Sequence, residues 1–282
     1  MHKCFVFVVA TLFSFAAFAQ TDTTGPVMKE SDRKHGKVYH IKPAVDIPIA
    51  VAGTAWTLYG FSKIYGRDAV SEAEILALDR NDINKFDRPV TKHYSESAKS
   101  TSDMFFYGSQ PLPLVLLFDK RIRKDAVRVG LLYLEAMAIT GTLYTTAAMS
   151  ANRFRPYAYN PDVEMGTKTR GGARNSFFAG HVALVGTATF FMAKVYSDYH
   201  PEMNNKWILY TVAGAATATT GYLRMRAGQH FRTDVILGAA VGTLSGLLVP
   251  TLHKNHNADP RLTVSPLLGT SNGFTAVLKI NR

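Results

Sequence analysis

The chain has 282 residues, 47% of them hydrophobic and 19% charged, and a formal net charge of +11. That length suits a single domain, and one cysteine, Cys4, excludes an internal disulfide framework and a thiolate metal cluster. The basic balance calls for an anionic partner, and nucleic acid fits worst: Lys and Arg are dispersed through loops beside hydrophobic segments, with no aromatic-interleaved basic module. An anionic membrane surface or a phosphate-bearing substrate fits better.

Residues 1–19 read as a secretion signal. His2 and Lys3 precede an apolar run from Phe5 to Phe18, and small residues at Ala17 and Ala19 suit cleavage after Ala19, which would remove Cys4 as well. Residues 20–43 form a polar arm, rich in charge and short of apolar side chains, expected as a linker or a surface-hugging segment. The main domain is expected over residues 44–254, where six hydrophobic stretches follow: Ala44 to Tyr65, Met104 to Phe118, Ala126 to Met149, Val182 to Tyr199, Trp207 to Tyr222 and Val235 to Leu252. This pattern predicts an all-α, six-helix, membrane-associated bundle. Several stretches are only 15 to 18 residues long, near the lower limit for crossing a hydrocarbon core of about 30 Å, so a bundle dipping into one leaflet rivals full spanning. Small residues in Ala213-Gly214-Ala215-Ala216 and Gly238-Ala239-Ala240-Val241-Gly242 suit close helix contact either way.

Lys120-Arg121-Ile122-Arg123-Lys124 favours the cytoplasmic side, which sends the third helix outward and places Arg155 on the far face. With a cleaved signal, six full crossings would reverse that, so either the signal is retained as an anchor or, the favoured reading, one stretch, Ala44 to Tyr65 or the Pro-bearing Met104 to Phe118, does not cross. The site would then face the periplasm in a cell envelope. The polar loop from Gly66 to Asp103 is positioned either to cap the site or to serve as a solvated connector. Glu135, inside a hydrophobic helix, is expected to brace an arginine of one of the motifs rather than to transfer protons. In the tail, residues 255–282, Ser271-Asn272-Gly273 before Phe274 to Ile280 signals a small two-stranded hairpin.

Three clusters carry the chemistry: Arg153-Phe154-Arg155-Pro156, then Ser176-Phe177-Phe178-Ala179-Gly180-His181, then Arg224 through Asp234. Phosphoryl transfer spreads negative charge over equatorial oxygens, which planar guanidinium forks neutralise with paired hydrogen bonds. Arg155 and Arg224 are the natural clamps. His230 and Asp234 stand four apart, so on one helix face the carboxylate would hold the imidazole in a single tautomer and make it a nucleophile. His181, after Gly180 where backbone can approach an anion, is then free to protonate the leaving oxygen. Arg153 and Arg226 are auxiliary candidates. Taken singly, each piece has an ordinary role as helix support, membrane anchor or helix start. Their conjunction at the ends of hydrophobic helices is what points to a site. No Walker loop, dinucleotide fingerprint, EF-hand loop or zinc-ligand spacing is present, and no cofactor or metal is called for.

The clusters resemble the three-part signature of the type 2 phosphatidic acid phosphatase superfamily, in its branch with secretion signals. That signature reads Lys, six residues, Arg-Pro; Pro-Ser-Gly-His; and Ser-Arg, five residues, His, three residues, Asp. Arg155-Pro156, Gly180-His181, and Arg224, His230 and Asp234 match at the right separations. The resemblance implies the helical fold shared with acid phosphatases and haloperoxidases. It also implies a metal-independent phosphatase acting on a lipid phosphate or pyrophosphate through a phosphohistidine on His230, with undecaprenyl pyrophosphate, lipid A phosphate and phosphatidyl phosphates as candidate substrates.

Three positions depart from the signature: Ala148 stands at the lysine, Phe178 and Ala179 replace Pro-Ser, and Leu223 precedes Arg224. Loss of one donor to a transition-state oxygen typically costs about 2.7–4 kcal/mol. The expectation is therefore a slow or selective enzyme, with a degenerate phosphate-binding protein of the same fold as the alternative. A soluble vanadate-dependent haloperoxidase is disfavoured by the hydrophobic stretches and the short chain.

Overall fold

A computed structural model describes residues 37–255, together with the backbone of two strands, Leu262–Leu267 and Gly273–Leu278. The expected signal segment and most of the polar arm, residues 1–36, lie outside the described residues, as does the Asn-Gly turn. The strands pair antiparallel, Leu262 opposite Leu278 and Leu267 opposite Gly273.

Six long helices make the described domain: α1 Pro43–Tyr65, α2 Glu96–Ser109, α3 Ala126–Ala151, α4 Gly180–Tyr199, α5 Lys206–Arg226 and α6 Arg232–His253. Local chemistry sets their ends. Pro43 opens α1, where its missing N–H costs nothing, and Asp46 reaches back to the Lys42 N–H at 2.7 Å. Ser95 caps α2 by accepting from the Ala98 N–H. Asn152, in the left-handed region at φ 43°, stops α3 just before the first arginine cluster.

The stretch Met104 to Phe118 is not one helix. Pro111 and Pro113 cannot donate back to the preceding turn, so α2 ends at Ser109 and Leu112–Phe118 forms a separate tighter turn. In compensation α2 begins earlier, at Glu96, in a segment that reads as polar loop. Among the described residues three helices, α1, α3 and α6, are long and apolar enough to cross a membrane. Of the two stretches of which one is expected not to cross, α1 is a candidate span and Met104 to Phe118 is not.

α4 is the buried axis, packed against α6, α5, α3 and α2. Gly238, Gly242 and Gly246, one turn apart on α6, lie directly on the α4 backbone; a Cβ on Gly242 would fall 2.1 Å from the Ala183 carbonyl oxygen. This close approach holds the start of α6 beside the start of α4.

The end of the arm is not a loose linker. Tyr39 is buried in the core with Leu132, Phe191 and Val249, and its hydroxyl donates to Asp198 at 2.8 Å. Glu135 does not brace a motif arginine. It faces His253 at 3.7 Å, at the opposite end of the bundle from the arginine clusters.

Candidate active site

Backbone hydrogen bonds sew the three sequence clusters together. The Ser176 N–H donates to the Arg153 carbonyl at 3.0 Å, the Arg155 N–H to the Ala173 carbonyl at 2.7 Å, and the Tyr157 N–H to the Gly228 carbonyl at 3.0 Å. Gly228 sits at φ +68° with the His93 carbonyl 2.4 Å from where a Cβ would stand, so only glycine fits this crossing.

The result is a cavity of about 130 Å³ lined on its polar side by Arg155, Asn175, Gly180, His181 and His230. Phe61, Ile64 and Tyr65 of α1, with Phe106, Tyr144 and Leu184, make the apolar wall.

His230 is almost fully buried. Its Nδ1 lies 2.7 Å from the Ser176 carbonyl, which can only accept, so the proton sits on Nδ1 and Nε2 keeps its lone pair. Burial, then the charges of Arg155 and Arg224, hold its pKa well below the ordinary value, so the ring is neutral at pH 7.

His181 occupies the first turn of α4, its ring against Phe106 at 4.3 Å between centroids. Its Nε2 is 3.1 Å from Asp103 Oδ1. The side chain keeps 23% of its surface open to the cavity, yet protein surrounds it closely enough that desolvation lowers its pKa to about 4, with Asp103 opposing and Arg224 reinforcing the shift.

Arg224 is buried, and burial followed by the charge of Arg155 lowers its pKa to about 10. It donates to Asp103 at 2.9 Å and to Ser102 at 3.2 Å. Arg155 donates to Gln229. The Nε–H groups of both arginines are buried with no hydrogen-bond partner among the described residues. Arg155 lines the cavity beside the two neutral imidazoles, whereas Arg224 lies behind its wall and acts on both through its charge.

Residues 129–258 match the model of a family described as the PAP2 superfamily. That match covers a little under half of the chain, so over this stretch the chain is similar to the PAP2 superfamily. A 113-residue segment, 40% of this chain, is 34% identical to the lipid A 1-phosphatase of Porphyromonas gingivalis, and it spans 21% of that protein's length. Two solved structures share a distant likeness. A transmembrane PAP2-type phosphatidylglycerolphosphate phosphatase from Bacillus subtilis gives a TM-score of 0.45 at 20% identity, over 72% of this chain and 95% of that one. Aquifex aeolicus LpxE gives 0.40 at 23% identity, over 58% and 92%.

Not every residue expected at the PAP2 site lies where the sequence suggested. Asp234 does not touch His230. Helix α6 starts only at Arg232, so His230 precedes it and the two side chains do not share a helical face. The Asp234 carboxylate instead accepts from Ser176 Oγ at 2.6 Å and from the Phe231 N–H at 2.9 Å, and it pairs with Arg153. It thus fixes His230 indirectly, by holding the residue whose carbonyl receives the imidazole proton.

Arg153 does not line the cavity. It bridges Asp234 and Asp87, the latter at 2.9 Å, over the face of Phe231. Arg226 is turned outward to His93, at 3.5 Å. Gly180 does line the cavity, but its Cα packs on the ring of Tyr144, where a Cβ would come within 2.7 Å. No side chain caps the start of α4 there, so its first N–H groups remain to favour an anion.

The roles of Asp103, Tyr144, Ser176 and Asp87 were not read from the sequence. Asp103 closes the segment expected to reach over the site, and it does reach it. Asp87 accepts from the N–H and hydroxyl of Thr233, at 3.0 and 2.7 Å, and so anchors the first turn of α6. Tyr144 lies one turn before Ala148 on α3, on the same face, and both are buried in one cluster with Ile64 and Phe178.

Proposed function

We propose that this protein is a phosphatase that hydrolyses a phosphomonoester or pyrophosphate of a membrane lipid through a phosphohistidine on His230. The observation that carries this reading is the shared cavity of Arg155, His181 and His230, with an apolar wall built by α1. In this reading the Arg155 guanidinium seats the phosphate in the cavity and the charge of the buried Arg224 supports it from behind. His230 Nε2 attacks phosphorus in line, the bond from phosphorus to the ester or bridging oxygen breaks, and His181 gives that oxygen its proton. His181 then takes a proton from water, the resulting hydroxide displaces Nε2 from phosphorus, and inorganic phosphate leaves.

The low proton affinity of His181 comes first from burial and then from the charges of Arg224 and Arg155, and a bound phosphate offsets the guanidinium part of it, which is compatible with an acid role. Binding therefore raises that affinity, and Asp103 holds the imidazolium once formed. Arg155, Arg224 and the α4 N-terminus supply the charge stabilisation, so the chemistry asks for no metal. The Tyr144 hydroxyl makes no hydrogen bond among the described residues and belongs to the cavity lining. We assign it the donor role left open by Ala148.

The apolar wall and the outward-facing Val51, Leu58, Ile236 and Leu248 support a lipid over a soluble ester. The basic run Lys120 to Lys124 lies before α3 and Arg155 lies beyond its other end, which favours a site on the periplasmic face.

The test is phosphate release, with chelator present, from undecaprenyl pyrophosphate, a lipid A phosphate, phosphatidyl phosphates and a short soluble phosphomonoester. Turnover of one or more lipids well above the soluble ester, lost in His230→Ala, is the result expected. Vanadate binding without turnover of any of them would instead establish the noncatalytic phosphate-binding alternative that Ala148 and Ala179 keep open.

A further inference from the structure

At the far end of the bundle, Asp46 in the first turn of α1, Glu135 in α3 and His253 at the end of α6 each direct one ligand atom to a common point, all within 4.8 Å of one another. His253 Nε2 lies 3.4 Å from Asp46 Oδ1 and 3.7 Å from Glu135 Oε2. The other imidazole nitrogen is already used, Nδ1 lying 2.8 Å from the Val249 carbonyl, which can only accept. In the neutral ring the proton is therefore on Nδ1, and Nε2 presents a lone pair to two carboxylate oxygens.

The second oxygen of Asp46 accepts from the Lys42 N–H, which leaves Oδ1 aimed inward. Glu135 is only 5% exposed, and its Oε2 is buried with no hydrogen-bond partner among the described residues. Three acceptors facing one another without a donor between them call for a positive charge at their centre.

We propose that Asp46, Glu135 and His253 bind a divalent cation, zinc best of all, as a structural clasp between α1, α3 and α6. The separations of 3.4 and 3.7 Å are close to the edge of a tetrahedron around a metal with bonds of about 2.0–2.1 Å, roughly 3.3 Å. One imidazole with two carboxylates suits zinc, and an Nδ1–H donated to a backbone carbonyl is the usual outer support of a metal-bound histidine.

Asp46 stands 15 residues before Phe61 on α1 and Glu135 nine before Tyr144 on α3, so about 13–23 Å of helix at 1.5 Å per residue separates the clasp from the residues that line the cavity. It takes no part in the chemistry proposed there. The His40 N–H donates to the His253 carbonyl at 2.7 Å, so the same cation would also tie down the chain entering α1.

The test uses the full chain purified in detergent, stripped with chelator, then equilibrated with zinc chloride against a competing chelator, with magnesium and calcium chloride in parallel arms. One zinc per chain is expected, with affinity reduced about 100-fold or more in Glu135→Gln and His253→Gln, an X-ray absorption spectrum of nitrogen and oxygen ligation including one imidazole, and a wild-type Tm that rises with zinc. The wild-type stoichiometry and spectrum decide the matter even if a variant fails to fold. Absence of a stoichiometric site in wild type, or equal binding by wild type and folded variants, would overturn the proposal and leave a protonated His253 bridging the carboxylates.

Discussion

Asp103 joins His181 to Arg224: its Oδ1 stands 3.1 Å from the imidazole Nε2 and 2.9 Å from the guanidinium. The hydrogen bond from His181, then the Arg224 charge, hold Asp103 ionised below the usual carboxylate range against the opposing effect of burial. One carboxylate thus couples the acid of the proposed reaction to one of its phosphate clamps.

From this coupling, Asp103→Asn is expected to lower kcat by roughly 100- to 10,000-fold, the usual range for general acid–base catalysis. Asp103 raises the proton affinity of His181, so its loss lowers that affinity and moves the alkaline limb of the kcat profile to lower pH. A pH–rate series on wild type and variant checks both points. An unmoved limb would mean that the carboxylate only positions Arg224.

Tyr144 and Ala148 share a face of α3, which suggests that the tyrosine hydroxyl stands in for a donor from the lysine position. Tyr144→Phe should reduce kcat by about 100-fold with the fold intact. Introducing Ala148→Lys into that background should restore part of the loss, whereas in wild type the same substitution meets a buried, filled position and should bring no gain. Single-turnover rates of the four proteins test this.

Five of the six apolar stretches were legible as helices because a long apolar run fills α1, α3, α4, α5 and α6, whether its side chains face the core, as in α4, or face outward, as Val51 and Leu58 do on α1. The extent of α2 was not, since Ser95 to Asp103 is polar and becomes helical by capping and by packing on α4 and α5. The same holds at the site. Spacing pointed to Arg155, His181 and His230, which line one cavity, and to Arg224, which lies behind its wall, but the apolar residue before α6, Phe231, hides where that helix begins, and with it the partner of His230. Asp103 and Asp87 are unremarkable charges in sequence, and their roles arise from contacts with residues far along the chain.

Arg153 lies between two carboxylates, Asp87 and Asp234, that have no exposed side-chain surface. Arg153→Met would leave both without their shared cation and should cost about 3–5 kcal/mol of stability, read by denaturant or thermal unfolding in detergent. Activity at temperatures where the variant stays folded should fall less than in Asp103→Asn.

The contact of Gly242 with the Ala183 carbonyl predicts that Gly242→Ala forces α6 away from α4. A loss of about 1–3 kcal/mol is expected from such overpacking, visible as a lower Tm. Gly130, with no atom within 4 Å of an added Cβ, provides the control: Gly130→Ala should be neutral or stabilising, since alanine favours a helix interior over glycine by about 0.8–1 kcal/mol.

The most direct measurement is acid-quench trapping of phosphoenzyme with radiolabelled lipid phosphate, followed by peptide mapping. A base-stable, acid-labile label on His230 is expected in wild type, accumulating in His181→Ala, where hydrolysis of the intermediate lacks its base, and missing from His230→Ala. Label on another residue, or undiminished phosphate release by His230→Ala, would contradict the account.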